Sequence, residues 1–275
     1  MAKRTQHFDP RQSMRGNTYE VFHYNDFKSR HLEAHYHDFY EIYIFLDGEM
    51  DYWIDGTLYH LSPGDLLFIN PTELHRPIPR SDDNTYERMV LWLNRAYLSG
   101  IENGLLEECF KSNRRLLRPD PMTRSAIHTL TNRLVEESYS KDFASECCAY
   151  GLLLQLLCII NRTALNNSPD VQVTPTLISK VLLYIGANFH EHLTLDMLAS
   201  HFFISKYYLS HEFQRTVGVS IHRYITLKRL NHAYDLLSEG IPAGEVGLLC
   251  GFGDYTTFYK AFKSEYGISP SSLKQ

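Results

Sequence analysis

Residues 205–218 and 254–267 of this 275-residue chain superpose at a shift of 49 positions, and an internal repeat of that kind restricts the possible folds more than any bulk property does. Ser205 falls on Asp254, Leu209 on Phe258, Phe213 on Phe262, Gly218 on Gly267 and Ser220 on Ser269. In each copy a helix-capping side chain comes first, apolar anchors follow one and two turns later on one face, and a glycine suited to a left-handed helix stop closes the segment. The other face stays polar. A short apolar stretch precedes each copy, containing Leu198–Ala199 in the first and Val246–Gly247 in the second. Two short helices joined by a tight turn make a helix-turn-helix, whose second helix can lie in the major groove of duplex DNA. Any two packed helices imitate one such pattern. Two copies joined by a single long helix over 221–238 are far more specific.

The charge does not belong to a protein that coats nucleic acid. Lys and Arg number 27 against 32 Asp and Glu, giving −5 at pH 7 and a pI near 6.3. Residues 1–171 carry 18 basic and 24 acidic side chains, net −6, whereas 172–275 carry 9 and 8, net +1. If the chain binds DNA, local contacts must carry the binding. Apolar spacing predicts helices over 175–188, 194–201, 205–217, 221–238, 243–250 and 254–266.

The segment from about Leu177 to Lys274 resembles the DNA-binding domain of the AraC/XylS family of transcription regulators. The matching residues are Ala199, Phe202, Ile204–Ser205, Leu209–Ser210, Phe213, Gly218, Ser220, Arg229–Leu230, Ala233, Leu236–Leu237, Gly251–Phe252, Asp254, Phe258, Phe262–Lys263, Gly267 and Ser269–Pro270. Gly247 stands where the family usually has a helix-packing Ala, a change expected to loosen the second unit by up to about 1 kcal/mol. Gln214 and Arg215 replace a Lys-rich pair, and Ser272–Leu273–Lys274 replaces an aromatic-Arg ending. The resemblance implies that Tyr207, Ser210, His211, Tyr255, Thr256 and Lys260 face the groove. Of these, Tyr207, Ser210, His211, Thr256 and Lys260 are expected on base edges. Lys206, Arg215 and Lys263 are expected on phosphates, which position a protein without specifying sequence.

From Tyr19 to about Leu98 the chain is rich in Tyr, Phe, Ile and Trp, alternates over short runs, and is punctuated by Asp47–Gly48, Asp55–Gly56 and Pro63–Gly64–Asp65. That texture predicts a sandwich or barrel, with clear strands over 41–46, 50–54, 66–69 and 88–93. In an extended strand His35, His37, Phe39, Glu41 and Tyr43 share one side. Together with His75 beyond Asn70–Pro71, this text resembles the two motifs of the cupin β-barrel, placing His35, His37, Glu41 and His75 at its metal-ligand positions. Glu73 stands where that motif has Gly, and no Gly precedes His35 at the usual spacing.

Cupins fused to AraC-type DNA-binding domains commonly bind sugars. That resemblance implies a pocket of His35, His37, Glu41, Tyr43, His75 and Trp92 for a sugar or a related small polar effector. Three His and a carboxylate also suit a divalent transition metal, so the alternative is a metal-dependent cupin enzyme. No GxSxG, Walker loop, GxGxxG or CxxC pair points to other chemistry, and Asp65 reads as a turn residue.

The expected fold class is α+β multidomain: a cupin-like barrel over 1–98, a helical packing or dimerisation region over 99–165, a polar linker over 166–175, and an all-α domain with two helix-turn-helix motifs over 176–275. The middle region is expected to hold helices over 101–117, 123–140 and 143–164. The last, with Leu152, Leu153, Leu156, Leu157 and Ile160, packs on the barrel or forms a dimer seam, and is read as too short and too polar at its start to span a bilayer. Five cysteines without CxxC spacing, and a start lacking an apolar leader core, suggest a cytoplasmic protein with no membrane partner. The implied partners are double-stranded DNA, a small effector, a second copy of the chain and, for an activator, RNA polymerase.

Overall fold

A computed structural model describes residues 5–6, 13–27, 34–81, 85–111, 114–166 and 176–273. The expected linker therefore lies outside the described residues except for Asn166, as does most of the first dozen. The chain divides into two compact units, one of Met1–Ile54 with Leu58–Val173, the other of Asp55–Thr57 with Thr174–Gln275.

The first unit is built on two sheets. Strands β1 (Tyr19–Phe27), β2 (Tyr40–Asp47), β5 (Leu66–Ile69), β7 (Thr85–Leu93) and β8 (Leu116–Leu117) form one, in the order β1-β7-β2-β5-β8; β3 (Met50–Ile54), β4 (Thr57–His60) and β6 (His75–Pro79) form the other, in the order β4-β3-β6. Antiparallel pairing sets Glu41 opposite both Ile69 and Trp92, so the pleat sends Glu41, Tyr43 and Phe45 one way and Ile42 and Ile44 the other. Tyr43 and Phe45 join an interior cluster with Phe22, Tyr52, Leu67, Ile69, Tyr86 and Trp92. Ile42 and Ile44 join a second cluster with residues from helices α3 (Pro121–Ser138) and α4 (Ser145–Asn166).

The expected helix over 101–117 is not one helix. After α1 (Arg95–Gly100) comes a 3-10 stretch whose Glu102, Asn103 and Gly104 take φ of 46°, 55° and 77°, which stops regular helix; α2 (Glu108–Lys111) follows. Leu116 and Leu117 instead pair with Leu67 and Leu66 as β8. Helix α4 also corrects two expectations. Its 22 residues are long and apolar enough to cross a membrane by length and composition. Its apolar face is already used, however: Leu153, Leu156, Leu157 and Ile160 are fully buried in the cluster that contains Leu134 and Leu91. A seam through Leu153 and Leu157 is excluded for the same reason, since a charge at either position would disrupt the core of one chain.

The second unit holds α5 (Leu177–Asn188), α6 (Leu195–His201), α7 (Lys206–Val217), α8 (Ile221–Ser238), α9 (Ala243–Leu249) and α10 (Tyr255–Tyr266). Thr194 caps α6 and Ser220 caps α8, each accepting a bond from a backbone N–H of the first turn. Arg229 on α8 donates to the carbonyls of Phe189 and Glu191 at 2.7 Å each and so ties down the α5–α6 turn. Burial lowers the pKa of its guanidinium.

The two helix-turn-helix corners end in the same way. After α6, Phe203 N–H donates to Ser200 O and Ile204 N–H to Ala199 O; after α9, Gly251 N–H donates to Leu248 O and Phe252 N–H to Gly247 O. These are Schellman stops, which need a left-handed residue. Phe203 takes it at φ 55° and Gly251 at φ 82°. A Cβ on Gly251 would lie 2.4 Å from the His190 carbonyl oxygen, so only glycine fits. At Gly247 the Phe258 ring packs so close that a Cβ would meet it at 3.1 Å, so an alanine there requires the ring to give by a few tenths of an ångström.

Gly251→Ala is expected to destabilise the second unit by about 1–3 kcal/mol. Trp53 and Trp92, the chain's two tryptophans, both lie in the barrel. The substitution should therefore shift urea unfolding followed by far-UV circular dichroism and leave the tryptophan fluorescence transition in place.

Candidate functional site

The repeated helices carry the first candidate site. In α7, Ser205 accepts from Tyr208 N–H, Leu209 and Phe213 are fully buried, and Gly218 stops the helix at φ 85°. In α10, Asp254 accepts from Thr257 N–H at 2.7 Å, Phe258 and Phe262 are fully buried, and Gly267 stops it at φ 72°. With these anchors inward, Lys206, Tyr207, Ser210, His211 and Arg215 are exposed on α7, and Tyr255, Thr256, Lys260 and Lys263 on α10. Tyr207 is 80% exposed, more than any packing role would leave. Lys206 pairs with Asp196 at 3.1 Å and Arg215 donates to Glu212, whose carboxyl it holds below the usual range. Both ion pairs lie on the surface, where such pairs contribute little to stability.

The barrel carries the second. Strand β2 begins only at Tyr40; His35 forms an isolated bridge with His75, and His37–Phe39 is irregular. Backbone bonds still gather these residues: His35 and His75 exchange N–H···O bonds, and Thr72 N–H donates to His37 O at 2.6 Å. His37, Glu41 and His75 are all buried, with one donor atom from each lying within 4.8 Å of the others. His37 Nδ1–H donates to Phe39 O at 2.9 Å and His75 Nδ1–H to Glu73 O at 2.8 Å. A carbonyl only accepts, so these bonds fix the proton on Nδ1 and turn both Nε2 lone pairs toward the cluster. Neither Nε2 has a hydrogen-bond partner among the described residues.

Glu41 is 5% exposed, and its Oε2 accepts from Trp92 Nε1 at 2.7 Å and lies 3.3 Å from His37 Nε2. Burial holds the pKa of His75 well below that of a free imidazole, and the neighbouring His35 and His37 push the same way. His35 stands beside His75, their ring centroids 4.4 Å apart, without adding a donor to the cluster. Tyr43 lies further along the strand, hydrogen-bonded to Tyr86 and packed on Tyr52. Glu73, the departure from the cupin pattern, accepts from Asn70 N–H at 2.9 Å and pairs with Arg115, so it closes the turn that a glycine would otherwise make. Asp65 likewise serves its turn, accepting from Ser62 N–H.

Sequence reasoning missed Arg88. The residue is 4% exposed; its guanidinium bonds Asp26 at 2.8 Å and lies 4.1 Å from the Tyr86 ring centroid and 4.8 Å from that of Tyr24. The signal was available: Arg88 alternates with Tyr86, Val90 and Trp92 on the inward side of β7.

A cupin-like binding barrel joined to a double helix-turn-helix defines a ligand-responsive, DNA-binding transcription regulator. Residues 17–153 match the AraC-like ligand binding domain and residues 198–275 the helix-turn-helix domain family. The chain belongs to the AraC/XylS family of regulators. It is 26% identical over 245 residues to the HTH-type transcriptional activator RhaS of Escherichia fergusonii, the match covering 88% of this chain and 87% of that one. RhaS of Escherichia coli strain SE11 is 22% identical over the same span and coverage. Among solved structures, ToxT of Vibrio cholerae O395 is 13% identical, covering 94% of this chain and 97% of that one at a TM-score of 0.37. The DNA-binding domain of AdpA in complex with a target DNA is 22% identical, covering 34% and 86% at 0.33.

Trp92→Phe removes the donor on Glu41 and leaves a buried carboxylate oxygen without it. The expected loss is about 1–3 kcal/mol of barrel stability, read from the remaining Trp53 fluorescence in urea.

Proposed function

We propose that this regulator reads operator DNA with α7 and α10 and senses a small polar molecule, a sugar or a related polyol, in its barrel. The observation that carries the DNA reading is the pair of identically capped and identically stopped helices with polar outward faces. Tyr207, Ser210, His211, Tyr255, Thr256 and Lys260 face the groove, while Lys206, Arg215 and Lys263 meet phosphates. The buried imidazoles, Glu41 and the Tyr43–Tyr86 hydroxyls suit a hydroxylated ligand, with Trp92 supplying an apolar face. In this reading residues 1–98 bind the effector, 99–165 pair the subunits, 166–175 link the halves and 176–275 bind DNA. The barrel binds and does not catalyse, and the protein works in the cytoplasm. Its relatives' designation as activators supports activation, through contact with RNA polymerase.

A homodimer forms through the face of α4 that flanks its buried stripe, where Tyr150 is exposed and Leu154 and Cys158, packed against the edge of the core, are half-buried. Tyr150→Asp combined with Leu154→Asp should give a monomer by analytical ultracentrifugation. A dimer that persists places the interface elsewhere.

Duplexes selected from a random pool by the full chain provide the DNA test. His211→Ala and Lys260→Ala should each weaken binding to the selected sequence by about 1–3 kcal/mol and relax preference at one position. Lys206→Ala should weaken all sequences alike and reduce the salt slope by about 1. Failure to select any sequence overturns the regulator reading.

A further inference from the structure

We infer that Phe203, in the corner before α7, reads DNA: its ring meets the C5-methyl group of a thymine in the major groove where α7 enters. The inference rests on the reading of α7 as a recognition helix and adds to it a residue that lies outside both helices.

Two unfavourable terms meet at this position. The Schellman stop after α6 needs a left-handed residue, and Phe203 supplies it at φ 55°. Glycine takes that conformation freely, whereas a β-carbon there is crowded by the backbone. The stop of the second corner is Gly251. Phe203 also leaves its ring 94% exposed, so burial within this chain does not offset the strain. Glycine would satisfy the stop better, and a polar residue would suit water better. The packing of the corner is done by its neighbours. Phe202 and Ile204 are half-buried, and the Phe202 ring stands edge-on to Tyr184 with centroids 5.8 Å apart. A strained backbone that carries an unburied aromatic ring points to a contact outside the chain.

The position identifies that contact. Phe203 lies two residues ahead of Ser205, the cap of α7, and exposure continues through Lys206 and Tyr207. In a helix-turn-helix the first turn of the second helix reaches base edges, so the residues just before its cap stand at the mouth of the groove. A phenyl ring offers a hydrogen bond neither to phosphate nor to a base. The apolar group that the major groove displays is the thymine methyl, which the other bases lack. The ring therefore discriminates by burying a methyl group, where the polar residues of α7 discriminate by hydrogen bonds.

The second corner has no counterpart. Gly251 presents no side chain, and the phenylalanine that follows it, Phe252, is buried against Phe258. Methyl reading of this kind belongs to the α7 half of the site alone.

The test uses the full chain and the duplex it selects from a random pool. Each thymine is replaced in turn by deoxyuridine, which removes the methyl and leaves every hydrogen-bonding group in place. One replacement, in the half whose reading His211→Ala relaxes, should weaken binding by the unaltered chain about fourfold, the worth of one buried methyl. Phe203→Gly should bind the thymine duplex at least about fourfold less tightly and be indifferent to that same replacement. Its melting temperature should hold or rise, because the left-handed strain is relieved. Phe203→Asn, which also tolerates the left-handed conformation, should behave toward DNA as Phe203→Gly does. A melting temperature lowered in both variants places the ring in the packing of this chain and overturns the inference. Sensitivity to no thymine, a methyl effect that survives Phe203→Gly, or an equal loss on thymine and uridine duplexes overturns it as well. Those failures leave the regulator reading intact while His211→Ala and Lys260→Ala still weaken the selected duplex. Failure to select any duplex overturns that reading and this inference with it.

Discussion

Strand β2 is the element on which the first unit depends, because its pleat has to satisfy two different environments. Ile42 and Ile44 face the cluster shared with α3 and α4, and Glu41 and Tyr43 face the interior. A slip of one residue would send a carboxylate into the helix-packed core and turn isoleucines toward the side that holds His37 and His75. Pairing on both sides, to β5 and β7, prevents that slip and places Trp92 across from Glu41. The rigid sheet thus aims Glu41, while His37 and His75 sit on irregular backbone pinned by their own hydrogen bonds.

In the second unit the constraint is local. A capping side chain, two fully buried anchors and a left-handed stop fix each exposed helix. That leaves the outer face at liberty to carry polar groups chosen for something other than stability. Phe213 and Phe262 hold their helices to the core, and Arg229 secures the preceding turn from α8. The polar outer residues pay no packing cost, which is what a surface that reads another polymer requires.

Much of this was legible because it is periodic. The repeat at 205–218 and 254–267 gave helix starts and stops to the residue, since capping chemistry is specific to position. The gathering of His37 and Glu41 followed from alternation, although the strand itself starts later than alternation implied. What could not be read depends on contacts distant in sequence. The break at Glu102–Gly104 is made by backbone conformations that composition does not announce, and β8 exists only because Leu67 and Leu66 lie beside it. The role of Arg88 needed the Tyr24 and Tyr86 rings to be placed, and the exclusion of His35 from the donor cluster needed its bridge to His75.

The repeat is also imperfect in a way that bears on how the two helices work. Between the end of α6 and the cap of α7 lie Phe202, Phe203 and Ile204; between the end of α9 and the cap of α10 lie Cys250, Gly251, Phe252 and Gly253. The first corner forces a phenylalanine into a left-handed conformation and leaves it 94% exposed, while the second uses glycine and buries the following phenylalanine. An aromatic side chain held outward at a strained position persists only where the surrounding bonds over-determine it. Here they do, through the Schellman pair to Ser200 and Ala199 and the Ser205 cap immediately beyond. The two corners thus reach similar helix stops by different means, and the longer second turn passes close to the His190 carbonyl, where only glycine fits. Equivalent anchors with unequal turns imply that the helices present equivalent faces without being interchangeable, so each can be tuned for its own half of a site.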